Sequence, residues 1–122
     1  MSKKIMVVDD EESLLALVGA ILKKEGFSVT TAASGQEALD KIEKDVPDLV
    51  VLDMMMPGMS GRETAEKIRA NPKTKKIKLI FLTVAKFSET GKDILSKMDV
   101  KDYITKPFEN QDLVNRIKKI LA

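Results

Sequence analysis

Leu49, Val50, Val51 and Leu52 form an uninterrupted apolar run that ends in a carboxylate, Asp53, with the turn-forming pair Pro57-Gly58 soon after. A short apolar run without alternation, bounded by turn signals, predicts a strand buried on both faces, as in a parallel sheet lying under helices. Open sheets of that kind bind ligands outside the carboxyl ends of their strands. The strand therefore delivers Asp53 to such a rim as a fixed negative charge.

Strand and helix alternate five times around it. Residues 4–9 form the first predicted strand (Ile5, Met6, Val7, Val8), which runs into Asp9, Asp10, Glu11 and Glu12. A first helix places Leu14, Val18, Ile21 and Leu22 on one face and stops at Gly26. Strand two, residues 27–32, alternates Phe27, Val29 and Thr31. Ser34 and Glu37 have the spacing of a capping box and open helix two, with Ala38, Leu39 and Ile42 inward. Strand three covers residues 48–53, and a second capping box, Ser60 with Glu63, opens helix three, with Ala65 and Ile68 inward. After a polar loop over residues 71–76, strand four spans 77–83 and ends at Thr83. Helix four, about 88–97, has a thin apolar stripe and contains Gly91. Strand five covers 100–104, Lys106-Pro107 breaks the chain, and helix five runs over 109–121 with Leu113, Val114, Ile117, Ile120 and Leu121 inward.

Five such units imply an α/β fold: a doubly wound, parallel five-stranded sheet in a three-layer α/β/α sandwich with right-handed crossovers. In the flavodoxin-like order 2-1-3-4-5, strands one and three are neighbours, which brings Asp9, Asp10 and Asp53 to one rim. The length of 122 residues suits a single domain over 1–122, with no output domain attached.

Composition removes several kinds of chemistry. With no cysteine and no histidine, disulfides, thiolate or imidazole metal sites and histidine catalysis are excluded. Oxygen ligands, lysines and a hard cation remain. No apolar run approaches the roughly 18 residues of a membrane span, and the first strand follows the start too closely for a signal peptide, so a cytoplasmic protein is expected. The net charge of +2 hides an asymmetry: residues 1–53 hold 6 Lys/Arg against 11 Asp/Glu, and residues 54–122 hold 15 against 8. The lysines of the basic part are scattered at helical surface spacing, and one Tyr and four Phe offer little to stack on bases, which argues against nucleic acid.

Neighbouring strands lie about 4.8 Å apart, and two carboxylates about 5 Å apart repel by roughly 3 kcal/mol at an effective dielectric of 20. Three together require protonation, a lysine or a divalent cation, and Mg²⁺ best suits an all-oxygen set. Lys106, just past strand five, is a candidate counter-charge, and Thr83 a candidate hydroxyl donor. A carboxylate nucleophile, a hard cation, a lysine and a hydroxyl make a plausible kit for phosphoryl transfer, where positioning and charge neutralisation do most of the work. Met54, Met55, Met56 and Met59 are better explained as adaptable packing than as metal ligands.

Asp9-Asp10 after strand one, Asp53 after strand three, the stretch from Met56 through Pro57, Gly58, Met59 and Ser60 to Gly61, Thr83 after strand four, and Lys106-Pro107-Phe108 after strand five together resemble the bacterial two-component response-regulator receiver domain, CheY-like in type. The resemblance spans essentially the whole chain. It implies that Asp53 accepts a phosphoryl group from a phosphohistidine on a sensor histidine kinase or phosphotransfer protein. It further implies Mg²⁺ ligation by Asp10, Asp53 and the backbone carbonyl of Met55, with Asp9 acting through water. Lys106 and Thr83 would contact phosphoryl oxygens, and Tyr103 would turn inward as Thr83 moves. The helix four–strand five–helix five face would then change shape and bind a downstream effector. The resemblance also implies a monomer, a cis Lys106-Pro107 bond, and no catalysis beyond the protein's own phosphorylation and dephosphorylation.

Some positions depart from the family pattern. Val84 stands where a smaller residue is usual, and its bulk is expected to narrow access to the site. Asp99-Val100 replaces the common Gly-Ala, and aspartate accepts positive φ less freely than glycine. Met55 and Ala85 are nonpolar where the family tunes phosphoryl lifetime, which implies slow self-dephosphorylation. Two other classes fit less well. A haloacid-dehalogenase-type phosphatase needs a second aspartate two residues after the nucleophile, where this chain has Met55. A flavodoxin-like cofactor binder needs a phosphate loop after strand one, where four acids stand here.

Overall fold

The computed structural model describes residues 2–84 and 97–122. Predicted helix four lies outside the described residues except at Lys97, and so does Ala85. Five parallel strands form one sheet: β1 (Lys4–Val8), β2 (Ser28–Ala32), β3 (Leu49–Asp53), β4 (Lys78–Thr83) and β5 (Val100–Thr105). Their order is β2-β1-β3-β4-β5, as the switch-point argument requires. The described helices are α1 (Glu12–Lys24), α2 (Gly35–Lys44), α3 (Gly61–Ala70) and a C-terminal helix (Asn110–Leu121).

Alternation within each strand sorts the core into two layers. Met6, Val8, Val50, Leu52, Leu79 and Phe81 face α2 and α3, where Ala38, Ile42, Ala65 and Ile68 meet them. Ile5, Val7, Leu49, Val51, Ile80 and Leu82 face Val18 and Leu22 of α1 and Leu113 and Ile117 of the C-terminal helix. All five residues of β3 are buried, as expected of a central strand covered on both sides.

Helix ends follow local chemistry. At the end of α1 the Gly26 N–H bonds the Lys23 carbonyl at 3.0 Å and the Phe27 N–H bonds the Leu22 carbonyl at 3.2 Å. This paired closure needs a left-handed residue, and Gly26 supplies it at φ +94°. The predicted box at α3 is complete, with the Ser60 side chain accepting from the Glu63 N–H and Glu63 reaching back to the Ser60 N–H. The one at α2 is only half formed. Ser34 Oγ accepts the Glu37 N–H at 3.1 Å, but Glu37 bonds the Ala33 N–H at 3.2 Å and pairs with Lys41 at 2.8 Å. On α1 the buried stripe is Leu15, Val18, Gly19 and Leu22, so Leu14 and Ile21 sit at its margins rather than at its centre.

Two features hold the loops at the amino end of the sheet and before β5. The half-buried Arg69 guanidinium, from α3, donates to the carbonyls of Met98 (2.7 Å), Lys75 (2.8 Å), Ile77 (2.6 Å) and Asp99 (3.1 Å). Asp99 adopts φ +52°, the left-handed conformation for which glycine is the common solution. The Lys106-Pro107 bond is cis.

Candidate functional site

At the carboxyl edge, β1 and β3 end side by side, with Val8 opposite Leu52 in register. Asp9 follows β1 and is fully buried, Asp53 closes β3 at 3% exposure, and Asp10 faces solvent. One carboxylate oxygen from each of Asp9, Asp10 and Asp53 lies within 4.8 Å of the others. The chain around Asp9 is tied down at two points: its N–H bonds the Ala32 carbonyl at 3.1 Å and its Oδ1 accepts the Glu11 N–H at 2.9 Å. Asp53 Oδ1 accepts the Met55 N–H at 3.2 Å.

Lys106 enters this acidic cluster from the loop after β5. Its Nζ lies 2.8 Å from Asp9 Oδ2, 3.7 Å from Asp53 Oδ1 and 4.0 Å from Glu11 Oε1. Its backbone N–H bonds the Thr83 carbonyl at 2.6 Å, which locks the loop to the end of β4. The predicted counter-charge is therefore in place, held chiefly by Asp9 rather than by Asp53. Burial works against the ammonium, but its bond to Asp9 and the charges of Asp9, Asp53 and Glu11 outweigh this and raise its pKa. Burial pushes the Asp53 carboxyl up to about 6, with repulsion from Asp9 and Asp10 adding to the rise and the Met55 N–H and Lys106 opposing it.

The other predicted site residues lie around this cluster. Thr83 closes β4 and is buried, one position beyond Leu82, the register partner of Asp53. Tyr103 sits half-buried on β5 opposite Phe81 and packs at the margin of the core layer under α2 and α3. Met55 is 70% exposed, and Val84, at the end of β4, is 66% exposed. Glu11 does more than place charge at the start of α1, since its carboxylate comes within reach of Lys106.

The motif contained Gly61, but nothing in the sequence pointed to its role. A Cβ built at this position would collide with the backbone carbonyl of Asp53. The Gly61 N–H also bonds the Met54 carbonyl at 3.1 Å. The start of α3 thus lies directly against the segment that presents Asp53, and the only available sign was a glycine where a helix begins.

Acids gathered at strand ends occur in more than one family, and comparison with known proteins narrows the choice. The response regulator receiver domain model matches residues 5–118. The chain belongs to that family. Over 121 residues it is 41% identical to the alkaline phosphatase synthesis transcriptional regulatory protein PhoP of Bacillus subtilis (strain 168), covering 99% of this chain and 49% of PhoP. The chain therefore spans about half the length of that curated relative. Among solved structures it is similar to the chemotaxis protein CheY4 of Vibrio cholerae, with a TM-score of 0.92 and 29% identity over 98% of this chain and 99% of that one. A putative response regulator from Chloroflexus aurantiacus gives a TM-score of 0.89 and 35% identity over 99% of this chain and 98% of that one.

Receiver domains are components of two-component signalling that work with histidine kinases and effectors, and they are response regulators rather than classical enzymes. The buried acidic cluster of this receiver is compatible with Mg²⁺: its donors are all oxygens, and two of the three carboxylates are buried. Among the described residues, no helix is long and apolar enough to cross a membrane.

Proposed function

We propose that this receiver takes a phosphoryl group onto Asp53 from the phosphohistidine of a sensor histidine kinase or phosphotransfer protein. The supporting observation is the convergence of three carboxylates within 4.8 Å, with a lysine ammonium among them, at the edge where a doubly wound sheet binds ligands. Asp10, Asp53 and the Met55 backbone carbonyl would hold Mg²⁺, with Asp9 acting through water. When bound, the cation supplies positive charge to the oxygens of the phosphoryl group in transit.

The remaining steps belong to the chain. An Asp53 carboxylate oxygen attacks phosphorus, the phosphorus–nitrogen bond breaks, and the departing imidazole takes up a proton. Asp53 must be ionised for this, and a carboxyl titrating near 6 is mostly ionised at pH 7.5. Lys106 exchanges part of its hold on Asp9 for a phosphoryl oxygen, and the Thr83 hydroxyl donates to another. The face built from predicted helix four, β5 and the C-terminal helix responds through Thr83 and Tyr103 and meets a downstream effector. We take residues 1–122 as one receiver domain, monomeric and cytoplasmic, whose only chemistry is on itself and which makes no direct contact with nucleic acid.

The test is incubation with acetyl phosphate and magnesium, read by intact mass. Wild type should gain one phosphoryl as acetate leaves, and neither Asp53→Ala nor metal-free wild type should gain any. Persistent modification of Asp53→Ala would overturn the assignment.

A further inference from the structure

The opposite edge of the sheet carries a second feature, which phosphoryl chemistry leaves unused. At the amino ends of β1, β3 and β4 lies a groove of about 230 Å³, and a second of about 310 Å³ continues from it through their shared residues Val46 and Lys73. Val46, Ile77 and Leu121 give the first groove an apolar lining, and Val46 is 45% exposed although it is a large aliphatic side chain. Around this lining stand Lys3, Lys73, Lys76 and Lys78, with Asp48 as the one acid.

Asp48 is already engaged, its Oδ2 accepting the Lys4 N–H at 2.7 Å. Lys78 is held too, donating to the Ile120 carbonyl at 3.1 Å. Lys3, Lys73 and Lys76 form no ion pair among the described residues and stand exposed. The backbone beneath is tied across the strand ends: the Asp48 N–H bonds the Lys4 carbonyl at 2.8 Å and the Lys78 N–H bonds the Asp48 carbonyl at 3.2 Å.

We propose that this lysine-rimmed groove binds an acidic peptide segment of a partner protein, with apolar side chains on the exposed Val46 and the half-buried Leu121 and flanking carboxylates on Lys3, Lys73 and Lys76. Charge complementarity selects the sign, and the apolar lining selects the class. A nucleic-acid backbone brings closely spaced phosphates that gain nothing from aliphatic side chains and are repelled by Asp48 and by Glu43 in the adjoining groove. A lipid surface requires a convex apolar face, whereas this lining is concave. Lys3 stands at the amino end of β1 and Lys76 just before β4, with the apolar lining between them, so the segment carries a carboxylate at each end of a short apolar stretch.

The probe is the tetrapeptide acetyl-Glu-Leu-Leu-Glu-amide, titrated into isotope-labelled protein at low salt and followed by amide chemical shifts. Acetyl-Glu-Ser-Ser-Glu-amide is the charge-only control, with a short DNA duplex and phosphatidylglycerol vesicles as competing classes. Shifts confined to residues 3, 46, 48, 73–78 and 121, with the leucine peptide binding more tightly than the serine peptide, support the proposal. The triple variant Lys3→Gln, Lys73→Gln, Lys76→Gln should weaken binding about tenfold while leaving phosphorylation by acetyl phosphate unchanged, in keeping with rim charges that each contribute little. Val46→Ser should weaken the leucine peptide and leave the serine peptide unaffected. Equal binding of the two peptides, shifts scattered away from the groove, or tighter binding of duplex or vesicles would overturn it.

Discussion

Replacing Asp53 by asparagine in metal-free protein tests the electrostatics of the acidic cluster directly. The Asp53 carboxyl titrates at about 6 against an ordinary 3.8 because burial, Asp9 and Asp10 together disfavour its charge. Above pH 6 that difference corresponds to about 3 kcal/mol of unfavourable free energy in the folded state. Water at the open rim screens part of it, leaving about 2 kcal/mol. The folded state holds this proton more tightly than the unfolded chain does. The penalty is therefore small near pH 4, grows as pH rises from about 4 to 6, and is nearly complete above about 6. Asp53→Asn keeps the shape and removes the charge. In EDTA at pH 7.5 it should be more stable than wild type by about 2 kcal/mol, roughly 6–10 °C in midpoint for a domain of this size. Urea titrations of both proteins at pH 4, 6 and 7.5 measure the gap, which should close towards pH 4. Magnesium should narrow it at pH 7.5 by stabilising wild type more. An asparagine variant that is less stable at pH 7.5, or a gap that does not change with pH, would refute the reasoning.

Three other perturbations have defined outcomes. Arg69→Ala removes a guanidinium that serves four carbonyls, and it should cost about 3 kcal/mol in urea unfolding, with Arg69→Lys recovering less than half of the loss. Gly61→Ala forces a methyl into the Asp53 carbonyl; it should destabilise the fold by about 2 kcal/mol or more and slow acetyl phosphate labelling beyond what that loss explains. Met55→Gln places an amide able to orient water on a 70% exposed position and should shorten the phosphoryl lifetime several-fold in a single-turnover decay, in which wild type should lose its label slowly.

Much of this architecture is legible in the order of residues because two periods dominate it. The all-apolar β3 and the alternating strands fix a covered parallel sheet, and the sheet order then brings Asp9, Asp10 and Asp53 together before any side chain is placed. Pattern could not show which carboxylate would hold Lys106, because that depends on the path of the loop after β5, which is tied by its N–H to the Thr83 carbonyl. Leu14 packs at the edge of the α1 core face and Ile21 is half-buried, because the centre of a helix face is set by its rotation against the sheet, which residue spacing does not specify. Glu37 leaves its expected partner because Lys41, one turn later, competes for the same carboxylate. Gly61 escaped notice because a requirement for empty space leaves no trace in composition.

The ammonium of Lys106 lies 2.8 Å from Asp9 in the resting protein. Part of the work of a divalent ion is therefore already done by a tethered monovalent one. An incoming metal must share its carboxylates with a resident charge, so its affinity is held below what three free acids would reach. On the proposed reading of Asp53 as a metal-dependent phosphoryl acceptor, scarcity of the ion would silence the receiver without unfolding it.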